Sequence, residues 1–499
     1  MIRADGCGSN AGKELVVLLN DLKTALNELL VSLGTSTAAL DLYCDPAGDD
    51  SNPGTPGLPV RQPAAALALL PRRLRHRATI HLAPGHYQGF SVTGFVVDPQ
   101  EDGTQVGLAV AGSFVPAAVS TGTTNGTSTA AANGDSIAPS WAVLVDAGQA
   151  WTPEDLRGRL LEITNGPGAG QLLPIVHNDA SSIWVLTTTW SSAPVGSDYV
   201  IHDQGSVIDT PIQRPSALAA VGVPPAPPTP VGVVVAGNLG PSQLACLRFE
   251  RLKVDLSGLG YLTIGADVQA TPATTFQNCS FTADQGVCVQ TAGVGGSFRI
   301  QQCVIRTDGV ATGIRMGASI LAGGASGSIV GCLIDSHAQG SDMAIIGGGN
   351  DVFVLHCESN ATTGVLLNGQ CLLTLQRVRF IGDSSSSQQI KARAQNGGPG
   401  FSVVQVPAGT GVEISGLSAS NAVELEGPHC AFFDGALNGT GNLGAFRLSA
   451  GARVRRSAQS TITGSNEIVL DDLPAETIAT MRAANPPHLT SDLLTIIHQ

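Results

Sequence analysis

Four short strings in the second half of the chain share one form. Phe276-Gln277-Asn278-Cys279, Ile300-Gln301-Gln302-Cys303, Ile329-Val330-Gly331-Cys332 and Val354-Leu355-His356-Cys357 each set an apolar residue three before a cysteine, and the cysteines recur at intervals of 24, 29 and 25 residues. Self-similarity at such a period marks stacked supersecondary units, none of which can bury its apolar side alone. Each cysteine is then expected above the previous one, about 4.8 Å away, as neighbouring strands of one parallel sheet. Residues 373–380 continue the rhythm without cysteine, and residues 401–427 carry it on less regularly.

The composition agrees with a chain of short strands and many turns. It holds 61 glycines and 29 prolines, and only 13% of its residues are charged, against about 25% in an average globular domain. The ten cysteines show no C-x-x-C cluster and no Cys/His spacing of a zinc site, so free buried thiols are expected, with no metal and no cofactor. A small apolar residue that tolerates a copy of itself above and below suits the inside of a coil. The net charge of -13 speaks against a nucleic-acid partner, because phosphate binding needs clustered Lys and Arg. The N-terminus has no signal-peptide core, and no run of about 18 apolar residues follows, which predicts synthesis in the cytoplasm and no membrane insertion.

Leu15, Leu19, Leu22, Leu26, Leu29 and Leu33 fall at a 4-3-4-3-4 spacing that puts all six on one seam of a helix. Such a seam serves a short coiled coil or packs on its own domain, and leucine at both core positions leaves the oligomer number open.

Tyr43-x-Asp45, Gly48-x-Asp50-x-Asn52-Pro53-Gly54-Thr55, a short Ala/Leu helix at 64–70, and a strand ending Pro84-Gly85-x-Tyr87 follow in order. This series resembles the first turn of right-handed parallel β-helix proteins of the pectate-lyase-like superfamily, phage tailspikes included. The resemblance implies an all-β fold, a right-handed parallel β-helix solenoid with its first edge strand covered by a short helix. It carries no catalytic residue. Residues 151–203, with the Gly168-x-Gly170-Gln171 turn, Asn178 and Trp190, are similar to a small β-module inserted in many phage tail proteins. The expected organisation is an N-terminal helical attachment segment (1–40), a β-helix start with capping helix and low-complexity loop (41–140), the inserted β-module (141–204), the parallel β-helix (205–465) and a C-terminal cap (466–499).

A long lateral face suits a long polymer, and in that superfamily the polymer is commonly a polysaccharide. Cleaving it needs paired carboxylates, or a base with a group that neutralises a uronate. Asp284 and Asp308 each lie five residues after a ladder cysteine and are expected to stack on adjacent turns, with Asp335 nearby. These are the catalytic candidates, although Asp-Gln-Gly and Asp-Gly are also ordinary turn sequences. Arg306 and His337 in the same neighbourhood, with Tyr261 and Trp184, are the candidate substrate contacts. All four tryptophans lie in or beside the module, so the coil itself offers few aromatic platforms for sugar rings. The favoured expectation is a structural, receptor-binding tail fibre or tailspike-like component of a phage or phage-tail-like particle. It is expected to be a homotrimer, attached to other tail or baseplate proteins by its N-terminus and contacting a cell-surface glycan. A polysaccharide lyase or glycoside hydrolase of the same fold, and a bacterial surface adhesin, are the alternatives.

Overall fold

The computed structural model describes residues 17–26, 34–97, 107–123, 141–186, 196–213, 230–236 and 247–259, and the strand segments between 262 and 470. Each turn of the coil contributes three strands. Gln285–Ala292, Ser297–Gln301 and Val304–Thr307 form one such turn, and lie on what we call the first, second and third faces. Each pairs in parallel with its counterpart in the next turn, at Ala318–Gly323, Ser326–Val330 and Leu333–Ser336. The third face is an 11-stranded sheet, and long strands at Ser341–Leu355 and Thr363–Gln376 join the first two faces into a 22-stranded one. Parallel strands joined by successive same-hand crossovers wind right-handed. The molecule is therefore a right-handed parallel β-helix.

The core is a set of columns running along the axis. Phe249, Phe276, Ile300, Ile329 and Val354 succeed one another in register on the second face, all buried. Val254, Phe281, Ile305 and Ile334 do the same on the third. Stacked turns place like on like, so the Phe249 and Phe276 rings lie 5.0 Å apart and nearly coplanar, a favourable offset arrangement.

The cysteine strings occupy the corner between the second and third faces. Asn278, Gln302 and Gly331 take positive φ of 53°, 52° and 64°, which turns the chain and aims the following cysteine inward. The bend leaves carbonyl oxygens of the second face facing into the corner, and the thiols satisfy them. Cys303 Sγ donates to Phe276 O of the turn before at 3.6 Å, Cys332 to Ile300 O at 3.6 Å and Cys357 to Ile329 O at 3.5 Å. The motif thus couples three needs: an apolar residue for the core, a left-handed bend, and a small weak donor under a carbonyl. Cys44, Cys279, Cys288, Cys303, Cys332, Cys357 and Cys371 are free and buried. Burial holds the Cys303 and Cys357 thiols well above the ordinary thiol range.

At the N-terminal end, Leu40–Cys44 pairs in parallel with Ala78–Leu82 and is the edge strand. The helix Pro63–Leu69 covers that end, with Ala66 and Leu67 buried in the common core. The turn-rich stretch before it is a hydrogen-bonded scaffold. Asp50 Oδ1 accepts from Arg61 N and Gln62 N at 2.9 and 2.8 Å, fixing the approach to the helix. Gly85, at φ +143°, must be glycine, because a Cβ there would lie 2.4 Å from Pro46 Cγ. Tyr87 turns inward and donates to Ala83 O at 2.8 Å.

The helix at residues 17–26 carries Leu19, Leu22 and Leu26 at 54%, 63% and 53% exposure. Leu15, Leu29, Leu33 and residues 471–499 lie outside the described residues, while Ile468–Leu470, within the expected C-terminal cap, continues the coil as a strand paired in parallel with Gly444–Ser449. No helix among the described residues is long and apolar enough to cross a membrane.

Candidate functional site

The inserted module leaves the coil at the corner where the cysteines sit, between a second-face strand, Leu108–Ala111, and a third-face strand, Ser206–Thr210. Its six-stranded sheet takes in Phe114–Thr123 as well as the strands from Trp141 onward. The expectation of a low-complexity loop from 111 to 140 is corrected for that strand. Its sequence, an apolar run from Phe114 to Val119 followed by Ser-Thr-Gly-Thr, carries no apolar alternation, and it is held by antiparallel pairing with Asp198–Gln204. Trp151, Leu161, Ile163, Ile175, Tyr199 and Ile201 make a separate small core. Asn178 braces it from within, accepting from Leu156 N at 2.9 Å and donating to Thr152 O at 2.9 Å.

The module folds back on the third face three and four turns further along. In register, the outward column there reads Lys253, Ser280, Val304, Leu333, Glu358, Arg379. Val304 and Leu333 interrupt a polar column because Val176 and Leu186 of the module cover them, with Trp184 packed alongside. Gly158 closes on the same spot: its φ is +84°, and a Cβ would stand 3.3 Å from Val304 Cγ1. In the neighbouring outward column Arg306 lies opposite Asp335. The Asp335 carboxylate is 1% exposed, 3.6 Å from Arg306 Nη2 and 3.5 Å from Arg157 Nη2 of the module. Arg157 also reaches Glu154 at 3.7 Å, and Glu154 meets His177, whose ring centroid is 4.6 Å from that of Trp184.

Three residues expected from the sequence to do chemistry are therefore brought together as a docking seam. Asp335 is sealed beneath the module between two guanidiniums, where no polymer reaches it; Arg306 is engaged with it; and Trp184 is a wall of the seam. Asp284 stands apart. Its carboxylate accepts from Gly258 N and it lies one residue past the end of Ser280–Ala283. Register and strand rise put the backbones of Asp284 and Asp335 about 12 Å apart, farther than the roughly 5–9.5 Å between the carboxyls of a glycosidase pair. Asp308, His337 and Tyr261 lie outside the described residues. Among the described residues no cluster of three or more His, Cys, Asp or Glu is arranged to hold a metal ion.

The second face is open. Its outward column reads Arg248, Thr275, Arg299 and Ser328 in register, beside Gln277 and Gln301. Arg248 is taken up by Glu250 and Gln277. Around Arg299 lies a depression of about 290 Å³, bordered by Thr275, Ser297 and Ser328. On the core side of the same strands Gly327 makes room for the Phe298 ring, since a Cβ there would fall 2.7 Å from Phe298 Cγ. Sequence reading missed this place: none of its residues forms a motif, and only the parallel register brings Thr275, Arg299 and Ser328 into line.

No known family model matches the sequence, and no curated protein does. Among solved structures the chain is similar to DFA-IIIase from Arthrobacter chlorophenolicus A6, at 11% identity and a TM-score of 0.35, covering 91% of this chain and 90% of that one. It is similar to pectate lyase Pel9A at 11% identity and a TM-score of 0.33, covering 89% and 80%. The tailspike protein gp49 from Pseudomonas phage LKA1 follows at 10% identity and a TM-score of 0.21, covering 88% and 71%. Likeness at this level carries no functional argument, and the fold stands on the strand pairing described above.

Proposed function

We propose that the chain is the subunit of an oligomeric, polysaccharide-contacting β-helix protein of the tailspike or tail-fibre kind, part of a phage or phage-tail-like particle. Its N-terminal helix joins it to further copies and to other tail proteins. Its open second face meets a cell-surface glycan.

The observation that carries this reading is the bare leucine seam. Leu19, Leu22 and Leu26 are more than half exposed, and Val17 and Leu18 on the same helix are exposed too, which is costly in water unless a partner covers them. The heptad spacing fits further copies of the same helix, and three is the stoichiometry we expect. Light scattering tests it on the full chain and on residues 34–499, which keep Thr35 and Ser36, both buried. A full-length trimer that falls to monomer on truncation is expected. A full-length monomer overturns the assembly and removes the main support for a spike.

The spacing of Asp284 and Asp308, each five residues after a ladder cysteine, supports a second reading, a lyase or hydrolase mounted on the same coil. Under it, Asp284→Asn with Asp308→Asn abolishes depolymerisation and leaves binding intact. A double variant that still cleaves removes these residues from any site.

A further inference from the structure

We infer that the depression around Arg299 is a subsite for a carboxylate-bearing sugar residue, such as a uronate, within an extended polysaccharide. The inference rests on the reading of the chain as polysaccharide-binding and names the class of sugar that face takes.

Charge comes first. The chain carries a net charge of -13, yet the strands Thr274–Gln277, Ser297–Gln301 and Ser326–Val330 hold no Asp or Glu. Arg299 is exposed, and among the described residues no carboxylate pairs with it. A cation left bare in an acidic protein keeps its charge for something brought from outside. Local cations of this kind also focus an anionic ligand against a repelling background.

Geometry narrows the ligand. Thr275 and Ser328 stand directly opposite Arg299 in register on the turns before and after, about 4.8 Å to either side. A guanidinium flanked by two hydroxyls matches a sugar ring that bears one planar acid group: the fork takes the carboxylate bidentately, and the hydroxyls exchange hydrogen bonds with ring hydroxyls. Gln301 and Gln277 beside them add amides along the axis a polymer follows. The next guanidinium in the column, Arg248, is already engaged with Glu250. Among the described residues of this column Arg299 is the one guanidinium without a carboxylate partner, and a single cation suits a singly charged carboxylate better than a phosphate, which gathers several cations. A volume of about 290 Å³ admits one sugar unit rather than a long segment.

The test is affinity electrophoresis of the full chain through gels containing polygalacturonate, alginate or hyaluronan, with dextran and dextran sulfate for comparison, for wild type, Arg299→Gln and Arg299→Lys. Retardation by at least one uronate polymer is expected, weakened about 10- to 100-fold by Arg299→Gln, the loss of a charge-assisted contact. Arg299→Lys restores part of it, and any retardation by dextran stays unchanged. Equal retardation of wild type and Arg299→Gln by a uronate polymer overturns the subsite and leaves glycan binding standing. Stronger, Arg299-dependent retardation by dextran sulfate overturns the carboxylate in favour of a sulfate. No retardation by any polymer overturns both the subsite and the glycan-binding reading, whatever the oligomeric state proves to be.

Discussion

The second and third faces of this coil are built from the same turns, with the same register and the same spacing, yet they present opposite surfaces. On the third face, Val304 and Leu333 point outward and are buried, and Asp335 is sealed between Arg306 and Arg157. On the second face, the matching turns present Arg299 and Ser328, open to solvent around a depression. The backbone does not make the difference. An insertion that leaves the coil three turns before Val304 covers one flank and leaves the other bare, and the outward side chains follow that cover: apolar and ion-paired beneath it, polar beside it. A coil of this kind can therefore dock a domain on one flank and keep a ligand surface on the next without altering its core.

The largest effect acts on both faces through the corner they share. Burial pushes the Cys44 thiol up to about 12, helped by the charge of Asp50, and raises Cys303, Cys357 and Cys371 above the ordinary value of 9.0. A thiol whose pKa is raised on folding stays protonated in the native state while the unfolded chain releases its proton, so the stability it contributes is complete below pH 9 and is lost as the pH climbs past it. Each such thiol costs at most about 1.4 kcal/mol per pH unit above that value. Urea titrations at pH 7, 9 and 10 are expected to show a plateau and then a steep fall, reduced in Cys303→Ala with Cys357→Ala. A flat profile to pH 10 means that the corner opens to water.

The next effect separates the faces. Asp335→Ala leaves Arg157 and Arg306 facing each other at the seam, at a cost of about 3 kcal/mol. Limited proteolysis is expected to release residues 114–204 while strand content by circular dichroism and any second-face glycan binding persist. Loss of both together means that the module holds the coil itself. Gly158→Ala acts at the same seam with less force: a positive φ and 3.3 Å to Val304 Cγ1 predict about 1–2 kcal/mol, read as a lower first thermal transition with the main one unmoved.

Sequence reading reached the coil because its signals are local. Cys279, Cys303, Cys332 and Cys357 mark the corner, and Pro84-Gly85 and Tyr87 mark the first turn, each by residue type and spacing alone. The site was less legible. Arg306 and Asp335 have the composition of a catalytic pair, and nothing within their own strands says that another segment, more than a hundred residues earlier, lies on top of them. One signal was present: where Lys253 and Ser280 stand in the outward column, the residues following Cys303 and Cys332 are Val304 and Leu333. Two apolar residues at a position that is otherwise polar announce a cover. Arg299 left no such mark, because its partners Thr275 and Ser328 lie 24 and 29 residues away and become neighbours only through register.

The smallest expected effect sharpens the contrast most. Arg299→Gln removes a charge as Asp335→Ala does, from a neighbouring flank of the coil, but it breaks no ion pair among the described residues. Its thermal midpoint is expected to match that of wild type, a change within about 0.5 kcal/mol, against several degrees for Asp335→Ala. Scanning calorimetry of the two variants side by side decides it. A guanidinium that stabilises nothing within its own chain has been left free for a ligand; a midpoint lowered as far as in Asp335→Ala instead makes Arg299 a structural residue and closes the second face as a binding surface.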